Sequence, residues 1–248
     1  MMHGLNLARA IAHTLLLQAL LLGLGVASLA WNLAAALLLR VLPVGRGQAL
    51  GRAAISRSYR VFWSVAQSVG MMQIDSQALQ SLRNESGGLI IAANHPSTLD
   101  AMLIVAYLPR SVCIMKASLL RNIFLGAGAR LARYISNQSA RGMIRGAVVS
   151  LRGGAQLVVF PEGTRTIRQP INAFMPGITL IARLAKAPIQ TVIIETDSPY
   201  LGKGWPIWRT PPVPVTFKLR LGRRFEPEAD NAALLKRLEA YFTEELRR

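Results

Sequence analysis

Asn94-His95-Pro96-Ser97-Thr98-Leu99-Asp100 sets an imidazole and a carboxylate five residues apart. The run before it, Gly88 to Ala93, is apolar between turn residues and reads as a strand buried on both faces. Ser97 or Thr98 is placed to N-cap a following helix that runs from Leu99 to about Tyr107. With Asp100 in the first helical turn, its carboxylate can fold back on His95, orient the ring and stabilise the imidazolium formed when the ring takes a proton. That is a two-member general base. The bland reading of the same residues is a turn histidine and a carboxylate that favours the helix dipole.

A second reactive group follows the apolar run Gln156 to Phe160. Phe160-Pro161-Glu162-Gly163-Thr164-Arg165 brings a carboxylate, a glycine, a hydroxyl and a guanidinium to the end of one strand. Arg165 can grip a phosphate through two parallel hydrogen bonds, and Gly163 lets backbone N–H groups approach a ligand. Glu162 can only accept, so it is expected to hold a substrate hydroxyl or Arg165 itself. The lone Cys113 lies in an apolar run and reads as a buried, inert thiol, so disulfides and a Cys-based metal site are excluded. No His/Cys/Asp cluster has metal-ligand spacing and no Gly-x-Ser-x-Gly elbow occurs.

The elements around these loops alternate. Strands are expected at Gly88–Ala93, Ser111–Met115, Gln156–Phe160 and Ile189–Glu195, with helices at Leu119–Ala132, at Ala140–Leu151 with Gly153 as C-cap, and at Ile178–Ala187 after Pro176. Val215, Phe217, Leu219 and Leu221 alternate with polar residues, as in a half-exposed strand at an antiparallel edge. Asp230 can cap a last helix through Leu234, Leu238 and Phe242. The expected fold class is α/β, a mixed and mostly parallel sheet flanked by helices, preceded by an N-terminal membrane helix or hairpin.

The N-terminal expectation rests on Ile11 to Leu39, which contains no Asp, Glu, Lys or Arg. As a helix it would be ~43 Å long against a ~30 Å hydrocarbon core, so it can span with tilt, or break at Gly23 and Gly25 into a re-entrant hairpin. Arg40, Arg46, Arg52, Arg57 and Arg60 follow it and Arg9 alone precedes it, which places the remainder in the cytoplasm. Ile55, Tyr59, Phe62, Trp63, Ala66 and Val69 recur at helical spacing with Arg52, Arg57 and Arg60 off the stripe. A helix lying on an anionic membrane has this pattern, and so does one packed on the globular domain. The 29 Lys and Arg against 12 Asp and Glu, formally +17, call for an anionic partner. With no nucleic-acid recognition motif in view, that partner is expected to be an anionic membrane surface and not nucleic acid.

Taken together, Asn-His-Pro-Ser-x-x-Asp after one strand and Phe-Pro-Glu-Gly-Thr-Arg after a later one, behind a hydrophobic N-terminus, resemble the glycerolipid acyltransferase family typified by bacterial 1-acyl-glycerol-3-phosphate acyltransferase. The resemblance covers Gly88 to about Glu195. It implies that His95 deprotonates an acceptor hydroxyl with Asp100 as its partner, and that Glu162, Gly163, Thr164 and Arg165 bind the acceptor's glycerol phosphate, with Asn94, Ser97 and Lys116 also at the substrate. Gly126 also matches a family glycine. It further implies direct transfer from an acyl thioester, acyl carrier protein or coenzyme A serving as co-substrate, with no cofactor and no metal. Residues 1–73 would anchor the chain to the bacterial inner membrane and 74–248 would form the acyltransferase domain on its cytoplasmic side. One departure bears on the acceptor, a lysophospholipid by resemblance. Asn137 stands where the family usually has a phosphate-holding Arg, so phosphate binding is weakened or moved, as to Arg141, and a non-phosphate acceptor stays open.

Overall fold

The computed structural model describes residues 2–168 and 170–247, with side chains from Ala8 onward. Two long helices come first, α1 (Met2–Val41) and α2 (Val44–Ser68), followed by β1 (Met72–Asp75), α3 (Gln80–Arg83), β2 (Leu89–Ala93), α4 (Asp100–Tyr107) and β3 (Ser111–Met115). Then come α5 (Gly126–Leu131), β4 (Ile135–Ser136), α6 (Ala140–Arg152), β5 (Gln156–Val159), α7 (Gly177–Ala185), β6 (Ile189–Thr196), β7 (Val215–Phe225) and α8 (Asn231–Glu245). The strands form one seven-stranded sheet in the order β1-β7-β6-β2-β5-β3-β4. Every neighbouring pair is parallel except β6 with β7.

Period-two alternation divides the core between the two faces of this sheet. Leu89, Ile91, Val158, Val192 and Phe217 point toward the side covered by α1, α2 and α4. Ile90, Leu157, Ile189 and Ile193 point toward α6, α7 and α8. The central strand β2 is buried at all five positions, which is why its sequence is continuously apolar.

Several expectations need correction. α1 is unbroken through Gly23 and Gly25, and a Cβ at either glycine would meet nothing. The turn of the hairpin comes instead after Leu42, where Pro43, held at φ −57° and ψ 145°, starts α2 back along α1. α2 packs its apolar stripe on the domain: Ile55, Phe62, Trp63 and Ala66 are buried, Tyr59 is half-buried and Val69 is exposed. Two of its arginines turn inward as well. Arg52 Nε donates to the Ala132 carbonyl at 3.1 Å, and Arg60 Nε and Nη2 donate to the Ala106 carbonyl at 3.2 and 3.1 Å, at the C-terminal ends of α5 and α4, where carbonyls lack helical partners and the dipole favours a cation. Arg57 is exposed.

The helix expected over Leu119–Ala132 is split. Leu119–Arg121 is a single 3-10 turn, Asn122 leaves it in an extended conformation, and its Oδ1 takes the Phe124 N–H at 2.8 Å, an Asx-type turn that competes with the helix. α5 then starts at Gly126, where a Cβ would lie 2.4 Å from the Leu120 carbonyl oxygen. The strand expected at an antiparallel edge, β7, lies inside the sheet between β6 and β1. Its alternation reports cover on one face. The sheet ends instead on β1 and β4, four and two residues long, too short to show a period.

Candidate active site

The carboxyl end of β2 delivers Asn94 and His95 directly into the loop before α4. Asn94 is buried, and its side-chain amide donates to the Ile194 carbonyl at 2.8 Å and accepts the Ile194 N–H at 2.7 Å, extending the β2–β6 pairing by one residue. His95 then turns out of the sheet. Its Nδ1 lies 2.9 Å from Asp100 Oδ2, and its ring stacks on Phe160 with centroids 4.0 Å apart at 18°. An ionised carboxylate only accepts, so Nδ1 carries the proton and Nε2 presents its lone pair.

Asp100 is completely buried while the His95 side chain is 18% exposed. Asp100 Oδ2 also accepts the Ser97 N–H at 2.8 Å, and Oδ1 has no hydrogen-bond partner among the described residues. Burial pushes the Asp100 carboxyl up to about 6, against the opposing pull of its hydrogen bond and charge interaction with His95. The expected cap is met in part, since Ser97 Oγ accepts the Leu99 N–H at 3.2 Å, and it is reinforced from the other direction. The first-turn carboxylate reaches back to the Ser97 N–H, while the hydroxyls of Ser97 and Thr98 donate to the carbonyls of Tyr200 and Leu201.

The Phe160–Arg165 loop, at the carboxyl end of the adjacent strand β5, is tied to the His95 loop through Glu162. This carboxylate is buried and accepts the His95 backbone N–H at 3.1 Å, the Thr166 hydroxyl at 2.7 Å and the Asn172 N–H at 2.8 Å. The Thr166 N–H returns to the His95 carbonyl at 2.8 Å. So Glu162 does not hold Arg165; its three hydrogen bonds clamp the two loops together. Gly163 has φ +68°, the left-handed region that favours glycine, and its N–H closes a turn onto the Phe160 carbonyl at 2.9 Å instead of facing a ligand.

Residues 73–195 match the protein family described as Acyltransferase. The domain formed by these residues belongs to the acyltransferase family. Its fold is similar to the crystal structure of the 1-acyl-sn-glycerophosphate (LPA) acyltransferase PlsC from Thermotoga maritima, with a TM-score of 0.73 and 20% identity over 96% of each chain. No match is found among curated proteins.

The other candidate residues of this acyltransferase are distributed along the same edge. Arg165 Nη1 donates to Thr98 Oγ1 at 3.0 Å and to the carbonyls of Leu201 and Gly202 at 2.9 Å each. Thr164 Oγ1 accepts from Lys203 Nζ at 3.4 Å. Lys116 is exposed just after β3, two strands from His95. Asn137 Oδ1 accepts the Ala117 N–H at 3.0 Å, fastening the ends of β3 and β4, and Arg141 lies out on α6. Residues 199–202 were not anticipated. Leu201, at φ +53°, turns its carbonyl to the Thr98 N–H, the Thr98 hydroxyl and Arg165, three donors that offset the strain of the left-handed backbone. The turn-forming run Asp197-Ser198-Pro199 was the only sequence signal for it. Phe160 as a stacking plate and Asn172 as a donor had none.

Between α1, α2 and α5 lies an apolar cavity of about 650 Å³. Leu20, Leu24, Trp31 and Phe62 line it, with Tyr134 and with Met115, next to Lys116. Cys113 is buried in the adjacent core, and burial pushes its thiol up to about 12, too high for a nucleophile at neutral pH.

Proposed function

We propose that this acyltransferase is membrane-bound and moves a fatty acyl group from an acyl thioester, carried by acyl carrier protein or coenzyme A, to the hydroxyl of 1-acylglycerol-3-phosphate, giving phosphatidic acid. The observation that carries this reading is the His95–Asp100 pair, fixed at the carboxyl edge of the sheet by the Phe160 ring and the Glu162 clamp. His95 Nε2 takes the proton of the acceptor hydroxyl as its oxygen bonds to the thioester carbonyl carbon. Collapse of the tetrahedral adduct breaks the C–S bond, and the imidazolium proton leaves with the thiolate. Asp100 keeps the ring in the required tautomer and balances its transient charge. The cavity behind α1 and α2 has the apolar lining an acyl chain needs. Supporting membrane attachment, α1 exposes Leu15, Leu22, Val26, Leu33 and Leu37 to 61–70%.

A second reading, an acceptor without phosphate, is favoured by Asn137 and by the engagement of Arg165 Nη1 with two carbonyls. Labelled palmitoyl thioester, a panel of lysolipid and non-phosphate acceptors and product identification by mass separate the two. His95→Ala is expected to slow turnover by at least about a hundredfold. Retention of turnover overturns the mechanism. Asn137→Arg is expected to lower the KM for lysophosphatidate by adding a charge-assisted hydrogen bond, and Arg165→Ala to raise it. If neither moves KM, the acceptor is not recognised through phosphate here.

A further inference from the structure

We propose that the groove between α6 and α7 is a docking surface for an acidic helix of the protein that carries the acyl group, which makes a protein-bound thioester the native donor. The inference rests on the thioester reading above and names its carrier. Arg141, Arg145 and Arg152 line this groove together with Val148, Val149 and Leu184. Val149 is 64% exposed and Leu184 42%. Neither α6 nor α7 contains an acidic residue. The arginines stand at positions i, i+4 and i+11, which at 3.6 residues per turn is a single face about 16 Å long. Arg152 Nη2 donates to the Leu184 carbonyl at 2.9 Å and is thereby held in the groove. A basic stripe with apolar residues along its middle complements an acidic amphipathic helix of two or three turns, and it is longer than a single nucleotide phosphate group requires.

Position in the fold decides between a protein and a lipid surface. α6 and α7 cover one face of the sheet, and α1 and α2 cover the other. The exposed leucines and valines of α1 put the bilayer on the α1 side, so the groove faces water. Its Arg141 end opens at the edge that bears the reactive loops. The end of β4, three strands from β2, lies at ~4.8 Å per strand roughly 14 Å from the His95 loop, and Arg141 follows it by five residues at the start of α6. A carrier seated here would hold its acyl arm along the carboxyl edge and the thioester within reach of His95.

The test uses the full chain and the double variant Arg145→Glu/Val149→Ser. Both side chains are exposed, so the fold is expected to persist, and circular dichroism checks it. Palmitoyl-loaded acyl carrier protein and palmitoyl-coenzyme A are compared as donors, and binding of unloaded carrier protein is measured separately by fluorescence anisotropy at two salt concentrations. The expected result is an increase of about tenfold in KM for the carrier-bound donor, with kcat and the coenzyme A KM unchanged, and a matching salt-sensitive loss of carrier binding. Equal changes with both donors, or no change in carrier binding, overturn the proposal. Loss of binding to phosphatidylglycerol vesicles in the same variant, with carrier binding intact, also overturns it and makes the groove a lipid contact. Carrier binding that the variant abolishes, in a protein that transfers acyl from neither donor, keeps the docking surface and removes the transferase reading beneath it.

Discussion

Asp100 has one carboxylate oxygen on His95 and Ser97 and the other without a partner among the described residues, and burial pushes its carboxyl up to about 6. The unfolded chain titrates this group near 3.9, so between about pH 4 and 6 the folded state binds more protons and stability falls as pH rises. The cost is absent below that window and complete above it. Asp100→Asn cannot titrate, and its urea midpoint is expected to lack this slope; parallel profiles for the two proteins between pH 4 and 6 would sink the argument. In the parent protein kcat/KM should fall as pH drops through about 6, because protonated Asp100 has lost the negative charge that balances the imidazolium. Glu162 makes a different prediction. Glu162→Gln sets an NH₂ against either the His95 and Thr166 donors or the Asn172 N–H. About 1–3 kcal/mol of stability should be lost, with kcat falling more than acceptor affinity. A pure KM effect would instead mean that Glu162 touches the acceptor.

At the scale of elements, polar residues that look stray in the apolar N-terminal run prove to be attachments. Asn32 Oδ1 accepts the Ala127 and Gly128 N–H groups at 2.6 and 3.0 Å, and its Nδ2 donates to the Ile123 carbonyl, so α1 supplies the N-terminal cap of α5. Ser28 and Gln18 donate to Phe124 and Ile207 on the same side. Asn32→Ala is expected to cost about 1–2 kcal/mol, which at ~2–4 °C per kcal/mol for a chain of this size is measurable as a shift in Tm. Gly51 fixes the crossing of α2 over α5, since a Cβ there would lie 2.7 Å from the Ala132 nitrogen. Gly51→Ala should therefore destabilise by about 1–3 kcal/mol although alanine is the better helix former. A neutral or stabilising result would show that the two helices separate freely.

Across the whole molecule, the domain-facing contacts of α1 run from Thr14, whose hydroxyl meets that of Thr210, to the buried Ala35. That is ~32 Å of helix held along the domain, so α1 is not a free-standing span joined to a remote globule. Its apolar outward face still invites lipid. Leu22→Gln/Val26→Gln/Leu33→Gln leaves the domain-facing contacts in place and is expected to move the protein from the membrane pellet to the supernatant with the fold intact. If the variant still sediments and resists alkaline carbonate, α1 is not the anchor.

The sequence by itself determined the α/β class, the central strands and the two loops that carry His95, Asp100 and Arg165, because buried parallel strands have continuous apolar runs and their ends are marked by turn residues. It also showed a long apolar α1, since charge-free runs of that length are rare in water-soluble folds. The tertiary structure alone decided what each polar group faces. Glu162 and Asn94 read as ligand-binding side chains in the sequence, and only the fold adds their hydrogen bonds to the His95 N–H and to Ile194, 67 and 100 residues away. The same holds for the arginines of α2. Whether a guanidinium lies on lipid or caps a distant helix depends on which carbonyls the fold brings beneath it, and helical spacing within α2 contains no information about residues 106 and 132.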